Sequence, residues 1–551
     1  PFHGMRAIFL YSSALLAVLL LTEAPECSQG RIVRLPSMSG LFSTRMVAGS
    51  NTLKRATSGL YRGEIAPPVP VFMMMPLDTV AENMTLSEEA MSCLPAVKEI
   101  GAEGIMVDVW WGLCEKSPGE YDFRPYLELL DRCAELGIKV QTVMSFHGCG
   151  GNIGDDVNIP IPDWVTDLES TVPELFYRDR RLDPSREYVS LSCDHLSVFP
   201  GKRVNRGTAP NRTALEMYTH FMAAFKEATQ AHIDNGTLVE IQVGCGPCGE
   251  LRYPSYPLAP RESHPAWQWP GIGEFQCYDD GMQRAMRDVL RRATPPEGVG
   301  GYNDGPDDTE FWAAKKGGVT GAVSALQGCL GGARTHETWD SPDGAAFLGW
   351  YSSALVQHGR DILLGAREVF GPSMRLATKV SGIHWLRGHP SRAAEATAGY
   401  CGDYLQNICE MLAETNSVLD FTCFEMRDAL QSWFADSRPQ ELVQSAAAAS
   451  TRCGIEFAGE NALYCWEDEG SIETIEEQAE IAVAGGADMV GLTALRLDPE
   501  LVEEGSTLRK SLKRFVANMK DLKNRKGSRS RVERLAIWTK RVWNAYKSRN
   551  Y

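Results

Sequence analysis

The chain has 551 residues, 44% hydrophobic and 23% charged, an ordinary globular composition with ample material for a large core. A net charge of −16 argues against nucleic acid as the main partner, and no apolar run is long enough to predict a membrane span in the mature protein. The 15 cysteines are odd in number and lie mostly within apolar segments, which predicts reduced, buried thiols. The ten histidines form no metal-binding spacing, so no metal and no cofactor is expected.

Residues 1–65 read as targeting sequence and spacer. Ala7 to Leu21 is a short apolar run behind Arg6, like the core of a signal peptide. From Cys27 to Gly63 there are six Lys/Arg, six Ser and no acid, as in a transit peptide. Together they predict delivery to a plastid, with secretion as the alternative. Asn83, Asn211 and Asn235 begin glycosylation triplets, which are common by chance.

From residue 69 onward, eight apolar runs alternate with amphipathic segments. The predicted strands are 69–77, 104–111, 139–146, 238–244, 375–385, 417–426, 454–461 and 487–497. They are continuous rather than alternating, as parallel strands buried on both faces require. Predicted helices cover 87–100, 126–136, 212–233, 282–292, 345–370, 404–414, 440–451 and 472–484, each with apolar residues at i, i+3 and i+4. Strand and helix in repeated alternation predict a (β/α)₈ TIM barrel over residues 66–520, with long loops after strands 3 and 4. A doubly wound sheet is the alternative. Residues 298–344 read as a Gly-rich insert. Residues 521–551 read as a basic tail whose stripe of Val532, Leu535, Trp538, Val542 and Tyr546 either docks on the barrel or meets an anionic membrane or partner.

The stretch VGCGPCGELRYPSYP (243–257) carries three competing signals. Gly244, Gly246 and Gly249 match a dinucleotide fingerprint, and Cys245 with Cys248 match a redox dithiol motif. Both need a helix immediately afterwards. Pro254 and Pro257 oppose one, because a proline inside a helix costs about 3 kcal/mol. The third signal is Glu250, a carboxylate displayed where a strand ends. An oxidisable Cys245/Cys248 pair beside it remains an open reading.

Polar residues recur at the other predicted strand ends. They are Asp108, His147 with Asp155 behind it, Lys379, His384, Thr422, Glu425, Glu460, Asn461 and Arg496. Charges that interrupt buried strands at matching ends oppose folding and so point to a site. Two carboxylates across a barrel mouth, with Trp110 and Trp111 close by, suit glycoside hydrolysis.

At these residues the chain resembles the β-amylases, glycoside hydrolases that release maltose from the non-reducing ends of starch. The motifs are VPVFMMMPLD, GIMVDVWWG, VMSFHGCGGNIGD, GPCGELRYPSYP, KVSGIHW, FTCFEMRD and AGENAL, in order over about residues 67 to 520. The resemblance implies a (β/α)₈ barrel and an inverting reaction that yields β-maltose. It assigns Glu250 as general acid and Glu460 as general base. It places Asp108, His147, Asp155, Lys379, His384, Thr422, Asn461, Ala462 and Arg496 on substrate, and it makes GGNIGD (150–155) a mobile lid. Starch or maltodextrin is then the expected partner, and a catalytically silent glucan-binding homologue is the alternative.

The chain departs from the family pattern in four places. Cys245 and Cys248 replace apolar residues, and Leu386 stands where a second tryptophan is common. YCWEDEG (464–470) replaces the usual continuation after AGENAL, and the 298–344 insert is long. None of these removes a matched catalytic group.

Overall fold

The computed structural model describes residues 67–151, 155–204, 207–255, 273–296, 299, 339–431 and 435–525. The expected 1–65 presequence, most of the expected 298–344 insert, residues 526–551 of the expected 521–551 tail and residues 152–154 of the expected lid lie outside these residues. Residues 521–525, read as the start of the tail, instead continue the last described helix into a 3₁₀ turn.

Eight strands form a closed barrel: β1 (Val71–Met74), β2 (Gly104–Trp110), β3 (Lys139–Ser145), β4 (Leu238–Val243), β5 (Arg375–Val380), β6 (Ser417–Phe421), β7 (Glu456–Glu460) and β8 (Asp488–Ala494). Every neighbouring pair is parallel. Val71 opposite Leu492 closes β1 on β8, which rules out the open doubly wound sheet. All residues of β1, β2 and β6 are buried, because the helices cover what the barrel interior does not.

The longer helices among the described residues are α1 (Glu88–Glu99), α2 (Arg124–Leu136), α3 (Ala214–Asp234), α4 (Asp280–Leu290), α5 (Pro342–Phe370), α6 (Tyr404–Thr415), α7 (Pro439–Cys453), α8 (Glu469–Ala484) and α9 (Thr507–Asp521). Their ends follow local chemistry. Thr213 and Glu216 form a capping box before α3, Ser341 caps α5 ahead of Pro342, and Gly137 ends α2 in the left-handed region.

Two sequence expectations need correction. Strands 5, 6 and 8 stop earlier than their apolar runs, at Val380, Phe421 and Ala494, because side chains take over the next backbone groups. Gly382 N donates to Thr422 Oγ1 at 2.8 Å, and Leu495 N donates to Asn461 Oδ1 at 2.9 Å. Thr422, Glu425 and Arg496 therefore stand on loops past the strands. The second concerns α9, which was not among the predicted helices. Leu512, Phe515, Val516 and Met519 bury one helical face, and the helix packs on β1 and α8.

Candidate active site

A cavity of about 650 Å³ opens at the C-terminal ends of the strands. Ten of the eleven residues assigned by the resemblance line it: Asp108, His147, Asp155, Glu250, Lys379, His384, Thr422, Glu460, Ala462 and Arg496. Asn461 does not. Its buried side chain bonds Leu463 O at 2.8 Å, Leu495 O at 3.0 Å and Leu495 N, tying the loop after β7 to the loop after β8.

The Gly-rich stretch after β4 turns sharply to present Glu250. Pro247–Gly249 forms one 3₁₀ turn, and no α-helix follows directly. A Cβ on Gly246 would lie 2.5 Å from the carbonyl oxygens of both Glu250 and Arg252, so the chain passes there only without a side chain. Gly249 takes a φ of 73°. The glycines serve this turn rather than a pyrophosphate. Cys245 and Cys248 are free thiols with separate partners. Cys245 Sγ donates to Val243 O, and Cys248 Sγ accepts from Arg252 Nη2. Burial pushes both thiols up, Cys245 to about 12, opposite to the low value that a redox dithiol uses.

Beyond the turn, Glu250 pairs with β5. It forms a parallel bridge to Lys379, and Leu251 N donates to Lys379 O at 2.8 Å. Arg252 Nε donates to Glu250 Oε2 at 2.6 Å. Arg252, two residues on, is a site residue that local spacing does not reveal.

Lys379 projects from the same strand to the second carboxylate. Its Nζ lies 3.0 Å from Glu460 Oε1 and 2.8 Å from Oε2. Glu460, the last residue of β7, is 3% exposed. Burial pushes its carboxyl up to about 7, against the pull of Lys379. Lys379 favours the ionised form, but desolvation outweighs it. Burial also works against the Lys379 ammonium, yet Glu460, Asp420 and Asp108 overcome it and raise its pKa.

Asp420 in β6 was missed. It accepts from Gln242 Nε2 in β4 at 2.7 Å, and burial raises it to about 6 while Lys379 opposes. The available signal was a single charge inside the apolar run SVLDF. Glu425 accepts from the backbone N–H of Ala462 and Leu463 at 2.9 to 3.1 Å and fixes the loop after Glu460.

Around the carboxylates, Asp108 Oδ1 accepts from Ser145 Oγ at 2.7 Å, and Asp155 Oδ2 accepts from Gly150 N at 2.8 Å. Burial lowers His147 to about 3 and His384 to about 4, so both rings are neutral. His147 Nδ1 and His384 Nε2 make no hydrogen bond among the described residues. His384 stacks on Trp385, with centroids 4.5 Å apart. Leu386 is fully buried and contributes no platform. Such a cavity of carboxylates, neutral imidazoles and aromatic edges suits a neutral polyhydroxylated ligand. Among the described residues, no cluster fits a metal ion and no helix is long and apolar enough to cross a membrane.

Comparison with known proteins agrees with this chemistry. The family model described as glycosyl hydrolase family 14 matches residues 72–525. The chain is 41% identical over 488 residues to "Beta-amylase 2, chloroplastic" of Oryza sativa subsp. japonica, covering 85% of this chain and 80% of the relative. It is 40% identical over 454 residues to "Beta-amylase 1, chloroplastic" of Arabidopsis thaliana, covering 79% and 73%. In fold it is similar to the catalytic domain of a β-amylase from Paenibacillus polymyxa, with a TM-score of 0.62 and 24% identity, covering 83% of this chain and 100% of that one. The chain belongs to glycosyl hydrolase family 14.

Proposed function

We propose that the protein is a β-amylase, hydrolysing α-1,4-glucosidic bonds of starch-type glucans from the non-reducing end and releasing β-maltose with inversion. The observation that carries this is the placing of Glu250 beside Lys379 on β5, while the Lys379 side chain reaches Glu460 at the end of β7. Two carboxyl groups thus face one cavity, one from the loop after β4 and one from the end of β7, as a pair flanking a scissile bond requires. Inversion asks for about 6.5–9.5 Å between them, room for one water.

In this reading Glu250 donates its proton to the glycosidic oxygen as the bond from C1 breaks. Glu460, ionised, takes a proton from the water that attacks C1 from the opposite face. The shortened glucan leaves with Glu250's proton, and solvent returns the proton held by Glu460 to Glu250. Atoms and charge balance without a cofactor. Asp108, His147, Asp155, His384, Thr422, Ala462 and Arg496 bind the sugars, and Lys379 also orients Glu460. Asn461 contributes through the loop it ties down. We place the protein in the plastid, in keeping with the names of its rice and Arabidopsis relatives and the transit-like leader.

Incubation with soluble starch tests the reading. Fresh product is expected to show the β-anomer of maltose by NMR before mutarotation. An initial α-anomer would establish retention, and glucan binding without maltose would establish a silent homologue.

A further inference from the structure

The cavity extends beyond the carboxylate pair. Its wall continues past Ala462 to Tyr464 and runs on through Asp498 and Pro499 to Asp78, Ser87 and Glu89. Exposure rises along this path, from 3% at Glu460 to 46% at Tyr464. Tyr464 opens the segment YCWEDEG, in which this chain departs from its family, and neither the acid–base pair nor the sugar contacts assigned above use it.

Its neighbours hold the ring in place. One residue before it, Leu463 N is bound by Glu425 at 2.9 Å. Two residues after it, the buried Trp466 donates from Nε1 to Leu495 O at 2.6 Å and packs on Phe515 of α9 with centroids 5.4 Å apart. Cys465 between them is buried. Asp498 stands beside the Tyr464 hydroxyl, and its carboxylate accepts from Leu501 N at 2.7 Å. An exposed aromatic ring anchored on both sides loses little freedom when a ligand covers it.

We propose that Tyr464 is a specificity-determining residue that stacks a glucose ring of the emerging chain, outside the sugars gripped in the buried part of the cavity. An exo-acting site holds the non-reducing end in its deep part, so the rest of a long glucan must leave across the exposed rim. Tyr464 supplies an apolar face for the C–H side of a ring. Asp78, Glu89 and Asp498 supply acceptors for its hydroxyls and disfavour an anionic occupant. The consequence is a preference for longer chains over chains that end inside the cavity. This rests on the proposed exo-acting glucan hydrolysis.

The test is calorimetric and independent of turnover. Binding of maltotetraose and maltoheptaose is measured for the full chain carrying Glu250→Gln, alone and with Tyr464→Ala or Tyr464→Phe. Tyr464→Ala is expected to reduce the preference for maltoheptaose about fivefold, while Tyr464→Phe, which keeps the ring, retains it. A Tyr464→Ala effect equal on both lengths, or none, would overturn the platform. Failure of the unsubstituted chain to release maltose from starch would overturn the proposed activity instead, and the two binding ratios would still decide the role of Tyr464.

Discussion

Glu460 sits between two opposing charges, and each can be removed separately. Its carboxyl lies near 7 because burial dominates, Lys379 draws it down, and Asp420 pushes it up. In its proposed role as general base Glu460 works only when ionised, so activity is lost as pH falls through that value. Removing the Lys379 charge in Lys379→Met raises the Glu460 pKa further and moves the acid limb of kcat/KM to higher pH. Asp420→Asn removes the opposing charge and moves the same limb to lower pH. Shifts in one direction for both variants would contradict the charge arrangement around Glu460. For the acid, Glu250→Gln is expected to bind maltodextrin and lose nearly all turnover, since an amide has no proton to give the leaving oxygen. Steady-state kinetics beside a binding measurement checks this, and substantial residual activity would remove Glu250 from its assigned role.

At the scale of the element, the turn after β4 determines where Glu250 stands. Gly246→Ala would place a methyl group 2.5 Å from two carbonyl oxygens, so the turn must open. A shift of about 1 Å in a reacting group costs on the order of 100-fold in rate. A fall in kcat of that size with a little-changed melting temperature is the expected result, and wild-type kcat would show that the turn tolerates a side chain. The same elements show why some features are legible in sequence and others are not. Eight buried strands announce themselves because each is apolar on both faces over a continuous run. Their ends do not, because Thr422 and Asn461 capture backbone N–H groups from other loops, a partnership invisible to local spacing. The pairing of Gln242 with Asp420 links strands 178 residues apart in sequence. Each of these residues alone reads as one polar interruption, and only barrel closure brings them together. Glu250 and Glu460 were legible because long motifs surround them, and Asn461 travelled with that motif although its amide ties down loops. The apolar spacing of α9 at 512, 515, 516 and 519 was present in the sequence, but basic residues surround it.

For the molecule as a whole, closure fixes which parts of the chain depend on one another. The first strand pairs with the last, and α9 covers that seam by packing on β1 and α8. Phe515 of α9 also supports Trp466, so α9 holds the loop that carries Tyr464. Truncating its buried ring in Phe515→Ala is expected to cost about 3–5 kcal/mol in chemical denaturation, as for other large-to-small core changes. We further propose that residues 67–525 form the complete catalytic barrel. A chain of those residues alone should then unfold in one cooperative transition near the melting temperature of the full chain and release maltose at a similar rate. A chain ending at residue 506 should not, because it uncovers Leu512's, Phe515's, Val516's and Met519's partners on β1 and α8, and each fully uncovered large side chain forfeits about 1.5–3 kcal/mol. Four such losses, about 6–12 kcal/mol together, are comparable to the whole stability of a fold held by about 5–15 kcal/mol, so a large fall in melting temperature is expected. Calorimetry on the three lengths decides the matter. Equal melting temperatures for the chains ending at 506 and 525 would mean that α9 is an accessory rather than the last stave of the barrel.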